Sequence, residues 1–171
     1  VRKESFPTSR YKLRMAANKI RKLAGVSDDE PFPVVKFLET ILLAEGWQFD
    51  IVPDDEMPEK YAETIPNEKK FRIRESVYED AIKDYPRHRF TVAHEIGHLL
   101  FHDNLTVSLA RNEEPIPKYK DPEWQANTFA AELLVPFNKI RRMSVNEIAQ
   151  KYRVSKKVAQ IQASYLSKIP A

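Results

Sequence analysis

The chain has 171 residues, 42% of them hydrophobic, with 28 Lys and Arg against 25 Asp and Glu, a net charge of +3 and no cysteine. That length fits one domain, at most with a small appendage, and its apolar content supplies an adequate core. So small a charge excess does not mark a nucleic-acid binder, the absence of cysteine fits a reducing compartment, and no apolar run nears the ~20 residues that span a bilayer. Val1-Arg2-Lys3-Glu4 leads into no signal-type segment, so a cytoplasmic protein without a membrane partner is expected.

Thr8 to Ala24 reads as an amphipathic helix, with Leu13, Ala16, Ala17, Ile20 and Leu23 at helical spacing and Gly25 as its stop. Its other face carries Arg10, Lys12, Arg14, Lys19, Arg21 and Lys22, expected as a solvated face because no aromatic is interleaved for base stacking. A second helix is predicted from Pro33 to Glu45, ending at Gly46. Trp47 to Ile51 alternates with period two and reads as a strand; Tyr61 to Ile65 and Lys70 to Arg74 are two more, joined by a turn at Pro66 to Lys69. The three are expected to form a small twisted antiparallel sheet. Phe71, Arg72, Ile73 and Arg74 are its predicted edge, where an extended substrate backbone can pair.

Next comes Arg89 to His102, which contains His94-Glu95-Ile96-Gly97-His98. Two imidazoles four residues apart stand on one helix face, roughly 5 to 6 Å between Cβ atoms, a spacing one metal ion bridges. Neutral imidazole suits Zn²⁺, and Glu95 is then placed to take a proton from a zinc-bound water. At about 100° per residue, Val92, Ala93, Ile96, Leu99 and Leu100 fall on the opposite, core-facing side. Gly97 lies at the border, where its low helix propensity makes sense if another backbone approaches closely.

A zinc hydrolase keeps three protein ligands and leaves a fourth position open, so a third ligand is required. On a continuous helix His102 is ~12 Å along the axis from His94, and His88 is ~9 Å back and on another face, so neither joins the pair. Asn104 to Lys120, with Pro115 and Pro117, reads as a loop bridging the two halves of the site. Beyond it, Asp121 is an expected N-cap with Pro122 at the first helical position. Glu123 heads a stripe lined by Ala126, Asn127 and Ala130, which lets this helix lie close to the first. Glu123 is therefore the candidate third ligand, with Asn127 as a supporting group behind the metal. Glu132 is about 180° from Glu123 and is expected to face solvent or another element.

Ser144-Val145-Asn146-Glu147 is a capping-box pattern opening a helix to Tyr152, and Ser155 caps another ending near Leu166. The pair has the outline of a helix-turn-helix; Lys156, Lys157, Gln160 and Gln162 are its candidate DNA contacts, against a plain helical hairpin that completes the core.

His94-Glu95-Ile96-Gly97-His98-Leu99-Leu100-Phe101-His102, followed by Glu123-x-x-Ala126-Asn127-x-Phe129-Ala130-Ala131-x-Leu133-Leu134-x-Pro136, resembles the ImmA/IrrE family of zinc metallopeptidases. Residues 71–78 ahead of Arg87-x-Arg89-Phe90-Thr91 are also similar, so the resemblance spans about residues 30–166. It implies His94, His98 and Glu123 as ligands, Glu95 as general base, and a protein substrate. Family members cleave or antagonise helix-turn-helix repressors of mobile-element or stress-response genes. The sensor-like domain of radiation-response members is not expected within these 171 residues.

The reading is an α+β chain with a zincin-like active-site helix and a glutamate helix. Residues 1–142 form a zinc metallopeptidase domain and 143–171 a helix-turn-helix-like appendage. Unranked candidates for oxyanion stabilisation are His88, His102, Tyr78 and Tyr85. The alternative is a non-catalytic regulator that binds a repressor or DNA and holds a structural metal. Such a site is expected to have four protein ligands, whereas the sequence offers three.

Overall fold

The computed structural model describes residues 2–102, 106–108 and 115–168. Helix α1 (Arg10–Leu23) is capped by the Ser9 hydroxyl, which accepts from Lys12 N–H, and stops ahead of Gly25 at φ 69°. Helix α2 (Val34–Ala44) follows Pro33 and stops ahead of Gly46, again at φ 69°. The left-handed backbone at both stops favours glycine, so these helix ends were readable from sequence.

Strands β2 (Gln48–Val52), β3 (Ala62–Ile65) and β4 (Lys70–Arg74) make one sheet in the order β2-β4-β3. The predicted turn between β3 and β4 forms, with Lys69 in the left-handed region at φ 47°, and the two strands pair antiparallel. Strands β2 and β4 run parallel, with Phe49 beside Phe71 and Ile51 beside Ile73, so the sheet is mixed rather than wholly antiparallel. Period-two alternation fixes which side chains share a face and says nothing of strand order. The chain leaves β2, passes to the far side and returns between.

That order makes β4 the central strand, bonded on both edges, so Phe71, Arg72, Ile73 and Arg74 do not form the predicted free edge. Phe71 and Ile73 are fully buried, Arg72 pairs with Glu63 at 3.0 Å, and the Arg74 guanidinium donates to the carbonyls of Met57 and Pro58. Alternation of two buried apolar residues with two arginines is equally compatible with an edge and with a centre whose polar face meets side-chain partners. The edge that meets α4 is β3.

Helix α3 (Glu75–Ile82), unmarked in the sequence reading, buries Val77 and Ala81 and leads through Asp84, at φ 65°, into α4 (Pro86–Phe101). Short strand β5 (Thr106–Ser108) lies within the predicted loop and pairs antiparallel with β1 (Arg2–Glu4). Residues 103–105 and 109–114 of that loop lie outside the described residues. Helix α5 (Pro122–Leu134) packs against both α4 and α1. Helix α6 (Val145–Tyr152) opens on the predicted capping box, and α7 (Lys156–Ser164) is capped by Ser155. Ile148, Tyr152, Val154 and Ala159 of this last pair belong to the same core cluster as Leu13, Phe71, Ile96 and Phe129.

Half of the basic face of α1 turns inward instead of lying in solvent. Arg14 Nε sits 2.6 Å from Glu132, Arg10 donates to Gln162 at 2.7 Å, and Arg21, 1% exposed, donates to the carbonyls of Leu133, Ser27 and Glu30. Glu132 faces other elements, as one of the two expected environments, and also accepts from Gln162 Nε2 at 2.6 Å. Removing its carboxylate would leave the partly buried Arg14 guanidinium without its partner, which destabilises the fold.

Candidate metal centre

Helix α4 places Pro86 at its first turn, where a missing N–H costs nothing, and buries Val92, Ala93 and Ile96 toward the core. His94 and His98 therefore emerge on the other face, as the 100° spacing requires. Helix α5 crosses α4 at Gly97. A Cβ there would lie 3.3 Å from the Ala126 Cα and 3.2 Å from Phe129 Cδ1, so the close backbone approach expected of this glycine is present. Asp121 caps α5 by accepting from Glu123 N–H at 2.9 Å, with Pro122 next. Glu123 then stands in the first helical turn, where the helix dipole favours a carboxylate, directly opposite the histidines.

Three side chains converge. His94 Nε2 is 3.0 Å from His98 Nε2, Glu123 Oε2 lies 3.1 Å from His94 Nε2, and Glu123 Oε1 lies 3.1 Å from His98 Nε2. Zinc bonds of ~2.0–2.1 Å in a tetrahedron hold neighbouring ligand atoms roughly 3.3 Å apart, so the donors need open by only a few tenths of an ångström. Among the described residues His94, His98 and Glu123 are the His and acid group whose ligand atoms all fall within 4.8 Å.

The hydrogen bonds behind the imidazoles assign their tautomers. Gln125 Nε2 donates to the carbonyls of Phe6 and Tyr119, both at 2.8 Å, so its Oε1 is the acceptor for His102 Nε2–H at 2.7 Å. His102 Nδ1 then carries a lone pair and accepts from His98 Nδ1–H at 2.8 Å. That leaves the His98 Nε2 lone pair on the site. His94 reaches the same state by donating Nδ1–H to Asn127 Oδ1 at 2.7 Å. Burial lowers the pKa of His102 despite the bond to Gln125, which keeps it neutral and able to accept.

Glu95 is 8% exposed, and Thr64 of β3 donates its hydroxyl to Glu95 Oε2 at 2.7 Å. The other oxygen has no hydrogen-bond partner among the described residues. Glu95 and the three donors line a cavity of about 510 Å³, walled on one side by Lys60, Ala62, Glu63 and Thr64 of β3 and its approach. In the metal-free site a proton taken up on Nε2 lets His94 and His98 donate to Glu123, and those hydrogen bonds hold its carboxyl far below the usual carboxylate range, against the effect of burial. Burial works against protonation of His94, but the Glu123 hydrogen bond and the charges of Glu95 and Glu123 outweigh it and raise its pKa.

The structure thus brings together His94, Glu95, His98, Glu123 and Asn127. His88 faces Asp80 at 3.5 Å, Tyr78 donates to Glu39 and is pushed up to about 12 by that bond, and Tyr85 is exposed at the start of α4. None of these three lines the cavity; His102 does, but its Nδ1 is taken by His98 and its Nε2 by Gln125. Thr64 and Gln125 escaped the sequence reading. A threonine in a strand and a glutamine in a helix carry no motif; only the fold shows what they touch.

The Peptidase_M78 family model, described as the IrrE N-terminal-like domain, matches residues 56–164, which include every residue of this site. The chain belongs to the ImmA/IrrE family. The matched span is a metallopeptidase-type domain and runs through α6 and α7. A Mycobacterium tuberculosis transcriptional regulator has a similar fold, with a TM-score of 0.56 and 16% identity over 86% of this chain. The match covers 45% of that regulator, so this chain spans under half of its length. No curated protein sequence matches. Among the described residues no helix is long and apolar enough to cross a membrane.

Proposed function

We propose that this protein is a zinc-dependent endopeptidase acting on a protein substrate, of which a helix-turn-helix transcriptional repressor is the class implied by the family. The observation that carries the reading is the convergence of two imidazole lone pairs and one carboxylate beside a second, buried carboxylate that is not spent on the metal. His94, His98 and Glu123 would hold the ion. When bound, zinc polarises the scissile carbonyl and lowers the pKa of its water toward ~7.

The remaining steps belong to the chain. Thr64 pins one oxygen of Glu95, which leaves the other to take the proton from the attacking water and return it to the leaving amine. Strand β3, the sheet edge that walls the cavity, offers unpaired backbone groups to an extended substrate, a role that β4 cannot fill. Asn127 and the Gln125–His102 pair keep both imidazoles turned correctly.

A regulator with a purely structural metal would need a fourth protein ligand, and the described residues supply three. Direct DNA reading by 144–166 is the other outcome; Lys156, Lys157 and Gln160 are exposed on α7, but Gln162 is buried against Glu132 and Val135. The test is co-expression of the parent, or of Glu95→Gln, with a helix-turn-helix repressor encoded beside it. Glu95→Gln should retain zinc and fold and leave the repressor intact, while the parent cleaves it. Equal cleavage by both would remove Glu95 from the chemistry.

A further inference from the structure

Beside the metal cavity lies a largely apolar hollow of about 400 Å³ walled by Phe90, Trp124, Val158, Ile161 and Tyr165, with Arg10, stacked on Tyr165, and Lys157 also in its lining. We propose that it receives a large apolar side chain of the peptide substrate, of the size of Leu, Met or Phe, from a residue within two positions of the scissile bond. This rests on the peptidase reading and adds a specificity to it.

Continuity carries the argument. The metal cavity shares Lys60, Ala62, His94 and Glu95 with a shallower depression of about 320 Å³, and that depression shares Phe90 and Asn127 with the apolar hollow. One trough therefore runs from Glu123 to Tyr165. Phe90 precedes His94 by four residues on α4 and Asn127 follows Glu123 by four on α5, so each lies ~6 Å along its helix from a metal donor. An extended peptide advances ~3.3–3.6 Å per residue, and two residues cover that distance.

The chemistry of the trough matches such an occupant. Phe90, Trp124, Val158 and Tyr165 are only partly buried, and Ile161 is 43% exposed. Covering apolar surface of this kind removes it from water and favours binding. Between the hollow and the metal stands Asn127, exposed, with its Oδ1 taken by His94 and no described acceptor for its Nδ2 hydrogens. That amide can donate to a substrate backbone carbonyl as the side chain beside it enters the hollow. Helix α7 supplies Val158 and Ile161, which gives the C-terminal pair a part in selecting substrate.

The test reads both cleavage and binding. A proteome-derived peptide library is digested with the zinc-loaded parent and with Ile161→Glu, and the cut sites are read by mass spectrometry. Partial exposure of Ile161 lets the variant fold. The parent should show Leu, Met and Phe enriched at least several-fold at one position within two residues of the cut, and Ile161→Glu should lose that enrichment with other positions unchanged. An unchanged profile overturns the proposal. In parallel, N-acetyl-phenylalaninamide and N-acetyl-aspartamide are titrated into Glu95→Gln with labelled methyl groups and labelled indole nitrogens. Shifts of Val158, Ile161 and the Trp124 indole with the first only are expected, and binding without any cleavage would keep the hollow while rejecting the peptidase reading. No shift, or concentration-dependent shifts without ligand, would mark it as unselective or as a contact between copies, and overturn the proposal.

Discussion

His102 Nδ1 lies 2.8 Å from His98 Nδ1, so a histidine too far along the helix to join the candidate metal site instead fixes a ring that belongs to it. His102→Leu removes the acceptor at similar volume, and Gln125→Leu removes the group that orients His102. Both should fold, Gln125→Leu with a lower Tm because the Phe6 and Tyr119 carbonyls lose their donor, and both should weaken zinc affinity by about 10- to 100-fold, the usual effect of losing the group behind a ligating imidazole. Competition with a chromogenic chelator reads the change. Parent-like affinity in both variants would reduce the chain of bonds to packing.

Gly97 permits the crossing that carries Glu123 to the histidines. Gly97→Val adds a branched side chain where even a Cβ meets the Ala126 backbone at 3.3 Å. Overpacking of this kind costs typically 1–3 kcal/mol, and the helix must shift outward. The variant should melt lower than the parent by several degrees and bind zinc more weakly. A parent-like Tm and affinity would show that the two helices have slack.

What the sequence made legible follows its periodicities. The two histidines, Glu95, the α5 cap and the face carrying Glu123 all follow from helical geometry plus ligand chemistry, and Gly97 could be understood as a crossing point before any partner was known. Strand order was different. Residues 71–74 alternate in the same way whether central or at an edge, and only the parallel pairing with β2 shows which. The arginines of α1 were read as solvated because their partners, Glu132, Gln162 and several carbonyls, come from elements more than 100 residues away or from loops. Thr64 and Gln125 were silent for the same reason: their roles exist only through long-range contacts.

Thr64→Val deletes the hydroxyl that holds Glu95 and keeps the β-branched shape of the strand. A hydrogen bond to a charged group is worth ~1.5–3 kcal/mol, so kcat should fall about 10- to 100-fold. Zinc affinity should not change, because Thr64 touches none of the three donors. A loss of zinc together with activity would contradict the separation of base from ligands.

In the proposed metal centre the proton would compete with zinc at His94. Its pKa in the metal-free fold is raised above the ordinary value, so its contribution to metal-free stability is full below about pH 6.5 and is lost as pH rises through the folded value. Zinc requires the neutral ring and stabilises progressively more over that same rise. The Glu123 carboxylate stays ionised throughout and adds no slope. The difference in Tm between zinc-loaded and metal-free protein should therefore grow between about pH 6 and about pH 8. A flat difference would remove His94 from the metal.

The most direct measurement is a zinc titration of the parent beside Glu123→Ala and Asp121→Ala. Both acids line the same cavity, but one faces the histidines and the other caps the helix. One equivalent should bind to the parent and to Asp121→Ala, the latter with a lower Tm from loss of its cap, ~1 kcal/mol. Glu123→Ala should bind far more weakly. Equal affinity of the parent and Glu123→Ala, with the loss falling on Asp121→Ala, would contradict the metal centre assigned to His94, His98 and Glu123.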